Sequence, residues 1–405
     1  MGRRVLATLF AALLLGQGGV GTTGAESAPG ASSPGRCPLE AAAPSSDPLY
    51  DRTRADLRAF TSWLARGRKR GKGLIGEIGW PGNPEAAGDA RWNLLARDWY
   101  RCADAAGLWV SGWATGEFWA NSYKLLAYAP STRTVNAQAF VIEGQTAPRL
   151  RGLSVAGAEF ATPVDEPTSA FSNRAPGVYG RDYVYPSDAT LTYLAGRGIT
   201  FIRLPVRWER LQPRLGRALA RDERRRLLAA VEAARAAGLR VILDVHNYGA
   251  YYLLSASAQA GVRRPIGSRE VSIGHFADLW SRLSALFAHD PTVLGYGLMN
   301  EPVGMRSART WESASRAAVR EIRRQGSSQR IFVQSYFWGG VRQFPLYHPR
   351  GPWIEDSRTW YEAHQYFDHD RSSRYLATYD EEVVRAAKEG FGAGATAPAG
   401  TSELP

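Results

Sequence analysis

Two glutamates beside apolar runs are the residues of this chain best suited to chemistry at a covalent bond. Glu301 follows the run that starts at Gly297, and Glu77 lies inside the run from Leu74 to Trp80. A carboxylate in such a buried setting is costly unless it has a partner or a function. If the two carboxyl groups face each other, one can donate a proton while the other attacks as a nucleophile. We therefore take Glu77 and Glu301 as candidates for one catalytic pair.

Other polar and aromatic side chains also lie at or just past the C-terminal ends of apolar runs. Taken singly, a buried histidine or tryptophan in such a place is more often part of the core. Their joint occurrence indicates a site, because the ends of parallel strands in a barrel meet at one face. The candidates are Arg203, His246, Asn300, His364, Tyr366 and Trp113.

Short apolar runs alternate with helical patterns along the chain, which favours βα units and a parallel sheet. Eight runs are strand candidates: 73–79, 108–113, 152–157, 200–205, 240–246, 293–300, 330–335 and 360–366. Helices are predicted at 55–66, 187–198, 222–237, 276–289 and 308–325. These elements predict an α/β fold of the (β/α)₈ TIM-barrel type, whose site is built from the loops after the strands.

In these motifs the chain resembles glycoside hydrolase family 5, the large cellulase family of retaining (β/α)₈ enzymes. The resemblance extends over about 55–385 and is carried by segments 76–79, 157–160, 201–205, 244–248, 297–302 and 362–366. It implies that Glu301 is the acid/base and Glu77 the nucleophile, with their carboxyl groups about 5 Å apart. Arg203 and Tyr366 would keep Glu77 ionised and aimed at the anomeric carbon.

The resemblance also implies roles for four further residues around one sugar unit. Asn300 would hydrogen-bond the sugar 2-hydroxyl, a contact that strengthens in the transition state. His246 and His364 would orient sugar hydroxyls and the carboxylates. Trp113 would offer its flat apolar face to the sugar ring.

The order of the motifs departs from the family pattern. The family places the nucleophile strand seventh and the tryptophan strand eighth, whereas here the strands of Glu77 and Trp113 come first. The region after Glu301 contains two strand candidates and no second Gly-Glu strand. We therefore expect a circularly permuted barrel with strand order 7-8-1-2-3-4-5-6. Such a permutation is possible because chain termini can be moved from one surface loop to another.

Two other glutamates compete with Glu77 for the role of nucleophile. Glu117 lies in the loop after the Trp113 strand, and Glu159 follows the 152–157 strand. Neither ends a strand with the Gly-Glu pattern. A non-catalytic carbohydrate-binding barrel is a further alternative, although it would have little reason to keep both carboxylates.

No metal and no cofactor are predicted. The histidines at 246, 348, 364 and 369 raise the question of a metal site, but the chain has no His-x-x-x-His or Cys-x-x-Cys spacing. Glycine-rich segments lack the form of a phosphate-binding loop.

Loop aromatics bear on the substrate, which we expect to be a β-1,4-glucan cleaved internally. Mannan, xyloglucan, another β-glucan or a β-glucoside stay open, because loops rather than the shared site residues fix the substrate. Candidates for stacking on sugar rings, of which one or two are expected to be packing residues, are Trp80, Trp119, Trp208, Trp338 and Trp353.

The N-terminus has the pattern of a secretory signal. Arg3 and Arg4 precede an apolar stretch at 5–15, and small residues follow at 22–25. We expect a signal peptide at 1–25, a disordered linker at 26–48, the catalytic barrel at 49–391 and a disordered tail at 392–405. Cys37 and Cys102 either form one disulfide or remain free structural thiols.

The net charge of +12 does not indicate a nucleic-acid-binding protein. Only four of the basic residues are lysines, and the arginines are spread through ordinary amphipathic segments. The two densest basic clusters, 66–72 and 217–226, are interpreted as solvated helix faces rather than anion-binding patches. A secreted monomer that binds a polysaccharide or oligosaccharide, and neither nucleic acid nor membrane, is expected.

Overall fold

The computed structural model describes residues 45–66, 71–83, 88–144, 150–160, 171–254 and 261–392. The strands are β1 (Gly73–Gly79), β2 (Trp109–Thr115), β3 (Tyr128–Ala129), β4 (Thr134–Val135), β5 (Arg151–Val155), β6 (Phe201–Val206), β7 (Arg240–Val245), β8 (Ala250–Leu253), β9 (Val262–Pro265), β10 (Val293–Gly297), β11 (Arg330–Gln334) and β12 (Thr359–Tyr366). The helices are α1 (Pro48–Leu64), α2 (Arg91–Ala105), α3 (Ala137–Glu143), α4 (Asp188–Gly196), α5 (Trp208–Leu211), α6 (Arg221–Ala236), α7 (Ile273–Phe287), α8 (Ala308–Arg324), α9 (Gln343–Tyr347) and α10 (Tyr379–Lys388).

Eight parallel strands close into a barrel in the order β1-β2-β5-β6-β7-β10-β11-β12. The barrel closes because β1 pairs with β2 on one side and with β12 on the other, from Gly73 opposite Tyr361 to Gly79 opposite Tyr366. The predicted (β/α)₈ barrel is therefore confirmed, and each of the eight predicted runs overlaps one of its strands. The run 293–300 was predicted too long, since β10 ends at Gly297 and the backbone then turns into a loop.

Several helices begin at a residue whose side chain caps them. Ser272 and His275 form a reciprocal capping box at the start of α7, and Thr378 and Glu381 do the same for α10. α1 begins at Pro48 rather than at the predicted residue 55, because Asp47 caps it and a proline is tolerated in the first turn.

The core lies between the barrel and its helices and is rich in large aromatic side chains. A second, smaller cluster near the strand starts contains Leu74, Phe201, Ile242, Leu294, Phe332 and Trp360, each from a different strand. Both clusters fix the strands in register, so that the residues at the opposite strand ends face one another.

Several sequence predictions fall on residues outside the described ranges. These are the signal peptide, nearly all of the linker, the tail beyond residue 392, and Cys37 of the proposed cysteine pair. Cys102 is buried in α2. Within the described ranges, no helix combines the length and apolar character needed to cross a bilayer.

Candidate active site

The C-terminal ends of the barrel strands bring the predicted site residues together. Glu77 lies on β1, Trp113 on β2, Arg203 on β6, and His364 and Tyr366 on β12. His246 directly follows β7, while Asn300 and Glu301 follow β10 after two residues of loop. Apart from Glu301, which is partly exposed, these side chains are buried.

The guanidinium of Arg203 is the centre of the site and is completely buried. It contacts the carboxylates of Glu77 at 2.8 Å, Asp244 at 3.1 Å and Glu362 at 3.1 Å, and donates to Asn300 Oδ1 at 2.7 Å. Burial opposes a charge here, but the three carboxylates outweigh it and raise the pKa of Arg203. Arg203 therefore stays cationic and orders groups from four strand ends.

Both oxygens of Glu77 have donors. Arg203 donates to Oε1 at 2.8 Å, and the Tyr366 hydroxyl donates to Oε2 at 2.7 Å. Burial and the neighbouring Glu77 raise the pKa of Tyr366 well above its usual value, so the phenol keeps its proton. Two donors of this kind fix the orientation of the Glu77 side chain.

Glu301 has a different environment from Glu77. Burial raises the pKa of Glu301, opposed by its hydrogen bond from His364 and reinforced by the charge of Glu77. Its backbone has a left-handed φ of 42°, and its N–H donates to Gln334 Oε1 at 2.7 Å. Such a conformation persists only where the surroundings hold it. One oxygen of Glu301 lies within 4.8 Å of an oxygen of Glu77.

His364 bridges the two glutamates. Its Nδ1 lies 2.7 Å from Glu301 Oε1 and 3.3 Å from Glu77 Oε2, and the Gln334 amide nitrogen lies 2.9 Å from Nε2. Burial opposes a second proton, but Glu77 and the other carboxylates raise the pKa of His364. The Gln334 amide also opposes a second proton, which would sit on Nε2. The N–H donor of Gln334 and the new Nε2–H donor would then point at each other. We assign the resting ring one proton, on Nδ1 and directed at Glu301.

His246 is held as a neutral ring. Its Nδ1 donates to Asp244 Oδ2 at 2.8 Å, so Nε2 accepts from Asn300 Nδ2 at 3.0 Å and from the Tyr248 hydroxyl at 3.2 Å. Burial and the charge of Arg203 place the pKa of His246 well below its usual value. Asn300 is thus oriented from both ends, with its oxygen on Arg203 and its nitrogen on His246.

Three polar residues of this network were missed at the sequence level: Asp244, Glu362 and Gln334. Asp244 and Glu362 each lie two residues before a site histidine, so they point to the same face of their strands. This Asp-x-His and Glu-x-His spacing was the available signal. Gln334 ends β11 and links Glu301, His364 and Glu362, since its nitrogen also donates to Glu362 Oε1 at 3.0 Å.

Two glycines leave room for these carboxylates. A Cβ on Gly76 would lie 2.0 Å from Glu362 Oε1, and one on Gly297 would lie 3.0 Å from Asp244 Oδ1. The glycines that precede the two candidate catalytic glutamates along the chain therefore make space for the carboxylates that support Arg203.

Aromatic side chains line one side of the site. The ring of Trp113 stacks near His246 at 6.0 Å, and its Nε1 donates to the Tyr123 hydroxyl at 3.0 Å. Trp119 is half-buried and stacks on Tyr123 at 4.0 Å. Trp338 is 48% exposed and lies 6.0 Å from the ring of Tyr248. Trp119 and Trp338 thus lie where a bound chain could reach them.

The other predicted stacking residues belong to the core, and these predictions were wrong. Trp80 is buried with its Nε1 on Asn93, and Trp208 is buried with its Nε1 on Gln212. Trp353 stacks on His348 beneath α8. A loop position alone could not separate these buried rings from exposed ones.

The competing glutamates have structural partners. Glu117 accepts from the N–H of Ser187, which caps α4, and from the Thr190 hydroxyl in the first turn of that helix. Glu159 is buried, and one of its oxygens accepts from the Gly157 N–H. The donors suited to hold a nucleophile, Arg203 and Tyr366, contact Glu77.

A model of the cellulase family, glycosyl hydrolase family 5, matches residues 158–393, which is more than half of the chain. The manganese dependent endoglucanase Eg5A of Phanerodontia chrysosporium is 24% identical over 75% of this chain and 69% of its own length. Endo-beta-1,4-glucanase B of Aspergillus niger is 28% identical over 51% of this chain, and the match spans 59% of that relative.

The chain is also similar to solved structures. The endoglucanase Cel5A of Pseudomonas stutzeri in complex with cellobiose is 35% identical, with a TM-score of 0.48 over 57% of this chain and 64% of its own. The family model matches this chain, and the strand ends of the closed barrel carry the family's motif residues. These two findings lead to one assignment. The chain belongs to glycosyl hydrolase family 5 and is a glycosidase.

Proposed function

We propose that this glycosidase is a retaining endo-β-1,4-glucanase, with Glu77 as nucleophile and Glu301 as acid/base. The observation that carries the proposal is the pair of carboxylates with oxygens within 4.8 Å of each other, one of which accepts hydrogen bonds from Arg203 and Tyr366. Retaining enzymes have carboxyl groups about 5 to 5.5 Å apart, whereas inverting enzymes need room for a water between them.

In the first step Glu301 donates its proton to the glycosidic oxygen while Glu77 attacks the anomeric carbon. The bond to the leaving sugar breaks, and a glycosyl ester forms on Glu77. Because Oε1 of Glu301 accepts from His364, Oε2 is the oxygen that carries the transferable proton. In the second step the ionised Glu301 takes a proton from water, which attacks the anomeric carbon and releases Glu77.

Asn300 contributes to the transition state through the sugar 2-hydroxyl. Arg203 and His246 already fix its amide, so the amide has to reorient little when charge develops on the sugar. Trp113 lies beside His246 and supplies an apolar surface for the ring. A β-1,4-glucan is the favoured substrate because the relatives are named for that activity and one neighbour binds cellobiose.

Azide rescue tests the two roles. With an aryl β-cellobioside, Glu77→Ala plus azide should give the α-glycosyl azide, and Glu301→Ala plus azide should give the β-anomer. Glu117→Ala and Glu159→Ala are the matched controls and should gain nothing from azide. Rescue confined to either control would refute the assignment of Glu77. Release of reducing ends from carboxymethyl cellulose, mannan and xyloglucan would compare the substrates.

A resident metal does not fit these residues, although one relative is named manganese dependent. Glu77, Glu301 and His364 offer donor atoms within 4.8 Å of one another. Both oxygens of Glu77, however, already accept from Arg203 and Tyr366, and the fully buried Arg203 cation 2.8 Å from Oε1 would repel a second cation there. No step is assigned to a metal.

We also infer that the barrel is circularly permuted relative to its family. The family model matches from residue 158 onward, yet Glu77 and Trp113 on β1 and β2 border the same site. Export by the N-terminal signal is likewise proposed, on the sequence pattern given above.

A further inference from the structure

A group of basic side chains lies at the N-terminal ends of the barrel strands, on the face opposite the candidate active site. Arg240 and Arg330 are the first residues of β7 and β11, and Lys72 and Arg358 directly precede β1 and β12. Parallel strands place their two sets of ends on opposite faces, so this group and the catalytic carboxylates are on different sides of the barrel.

Three of these cations line one cavity. The cavity has a volume of about 310 Å³ and is bordered by Lys72, Arg330, Ser357, Arg358 and Trp360. A second cavity of about 460 Å³ shares Lys72 and Trp360 with it and extends along Trp109. The two together are large enough for a charged group carried on a sugar-sized ring.

Two tryptophans hold Arg330 in place. The rings of Trp109 and Trp360 lie 4.3 Å apart, and the guanidinium carbon of Arg330 is 4.7 Å from the first ring and 5.3 Å from the second. The Lys72 ammonium lies 5.7 Å from the Trp360 ring. Cation–π contacts orient these groups without neutralising them.

Within the described residues, none of the four cations pairs with a carboxylate. Arg358 donates to the Ser328 carbonyl, and its neighbour Asp356 is occupied by Arg323. Burial and the like charges of Arg240 and Arg358 lower the pKa of Arg330. Some other half-buried arginines, such as Arg54 on Asp98, have a carboxylate partner. The charge in this pocket lacks the counter-ion that a partly buried cation usually has.

We propose that the pocket lined by Lys72, Arg330, Arg358 and Trp360 binds an oxyanion. The guanidinium of Arg330 presents planar paired donors suited to phosphate, sulfate or carboxylate, and Lys72 and Arg358 add charge at the rim. The group comes either from a free inorganic anion or from an acidic polysaccharide whose uronate carboxylates provide the same chemistry. This binding is independent of the proposed glucanase activity.

The test compares two double variants that each remove two exposed positive charges. Lys72→Ala/Arg358→Ala empties the rim of the pocket, and Arg224→Ala/Arg320→Ala removes two exposed arginines from α6 and α8. Inorganic phosphate, trigalacturonate and neutral cellotriose are titrated by calorimetry at constant ionic strength, with chloride as the balancing salt. Thermal unfolding confirms that each variant is folded.

We expect an oxyanion to bind the wild type, with affinity reduced about tenfold or more in the rim variant. The control should stay within about twofold of the wild type. Binding of trigalacturonate would support a polymer source, and binding of phosphate alone would support a free anion. Equal affinity of wild type and rim variant, equal loss in the control, or no binding of either anion would overturn the proposal. Hydrolysis of neutral substrate by the rim variant should be unchanged.

Discussion

At the scale of single residues, the central feature is that one guanidinium supports three carboxylates. Arg203 contacts Glu77, Asp244 and Glu362, and each carboxylate in turn orients another site residue. Asp244 fixes the proton of His246, while Glu362 accepts from the Gln334 amide. The different settings of Glu77 and Glu301 follow from this network, since only Glu77 has Arg203 as a direct partner.

Gln334 should act as a positioning residue for the acid/base. Gln334→Met keeps the shape but removes the acceptor for the Glu301 N–H and the donor to His364. We expect kcat to fall about tenfold to a hundredfold with KM nearly unchanged. Once Nε2 of His364 is free to take a proton, the nearby cation should lower the pKa of Glu301 and move the alkaline limb of the pH–rate profile to lower pH.

Gln329→Met is the matched control, because Gln329 lies just before the other end of β11 and bonds backbone carbonyls. Its profile should equal that of the wild type. An unchanged alkaline limb in Gln334→Met, with only thermal stability reduced, would assign Gln334 a purely structural role.

The pH dependence of the wild type follows from the raised pKa of Glu301. The proton donor is active when protonated, so activity should persist above the usual glutamate value of 4.5 and fall as pH rises through the pKa of Glu301. His364 lowers that pKa, so His364→Asn should move the remaining alkaline limb of kcat/KM upward. His369 pairs with Glu382, so the control variant His369→Asn should leave the alkaline limb in place. A downward shift in His364→Asn would contradict the environment described for Glu301.

The sequence was sufficient to predict which side chains meet at the strand ends, but not those beneath them. Glu77, Glu301 and His364 stand at strand ends, where polar residues contrast with apolar neighbours. Asp244 and Glu362 lie inside strands whose partners come from distant parts of the chain, so nothing local distinguishes a supporting carboxylate from one with another role.

At the scale of elements, the loops after the strands separate aromatic side chains into two groups. The loop after β11 holds Trp338 exposed beside Tyr248, whereas α5 buries Trp208 against Tyr251 and Phe276. A sequence position in a loop predicts neither outcome, because the packing of a loop depends on contacts that are remote in the chain.

Replacement of these two tryptophans should have opposite consequences. Trp338→Ala should lower kcat/KM on long β-1,4-glucan oligosaccharides by about fivefold, from loss of about 1 kcal/mol of stacking. Its melting temperature should hardly change. Trp208→Ala should destabilise the fold by about 3 to 5 kcal/mol through the cavity that it leaves. Denaturant unfolding and kinetics on a series of oligosaccharides would measure both, and unchanged kinetics in Trp338→Ala would exclude its contact with substrate.

At the scale of the whole molecule, the two ends of the described barrel meet. A Cβ on Gly392 would lie 2.8 Å from Pro48, the first residue of α1, and Arg52 of α1 forms a buried ion pair with Glu382 of α10 at 3.0 Å. The eight strands were predictable because strands covered on both faces are continuous apolar runs. The start of α1 was not predictable, because Asp47, the residue that caps it, follows a tract without a recognisable pattern.

This meeting of the ends allows a test of the proposed permutation. A chain that runs from residue 150 to 392 and is joined by a short linker to residues 45–144 restores the family order of strands. We expect it to fold with a similar melting temperature and to retain activity, because the barrel contacts are the same. Joining the same segments with β1 and β2 deleted is the control. A rearranged chain that folds but lacks activity would argue against the permuted relationship.

The pairing of β1 with β12 also sets an order of events during synthesis. Glu77 leaves the ribosome 289 residues before Tyr366, the hydroxyl that holds one of its oxygens. Closing so long a loop is slow, and it requires the last strand to enter between β1 and β11. A nascent chain therefore carries Glu77 long before its surroundings are complete, and the same final strand that closes the barrel supplies the Tyr366 hydroxyl to Glu77, the proposed nucleophile. Ribosome-bound chains that end before residue 359 should be inactive however long they are given to fold.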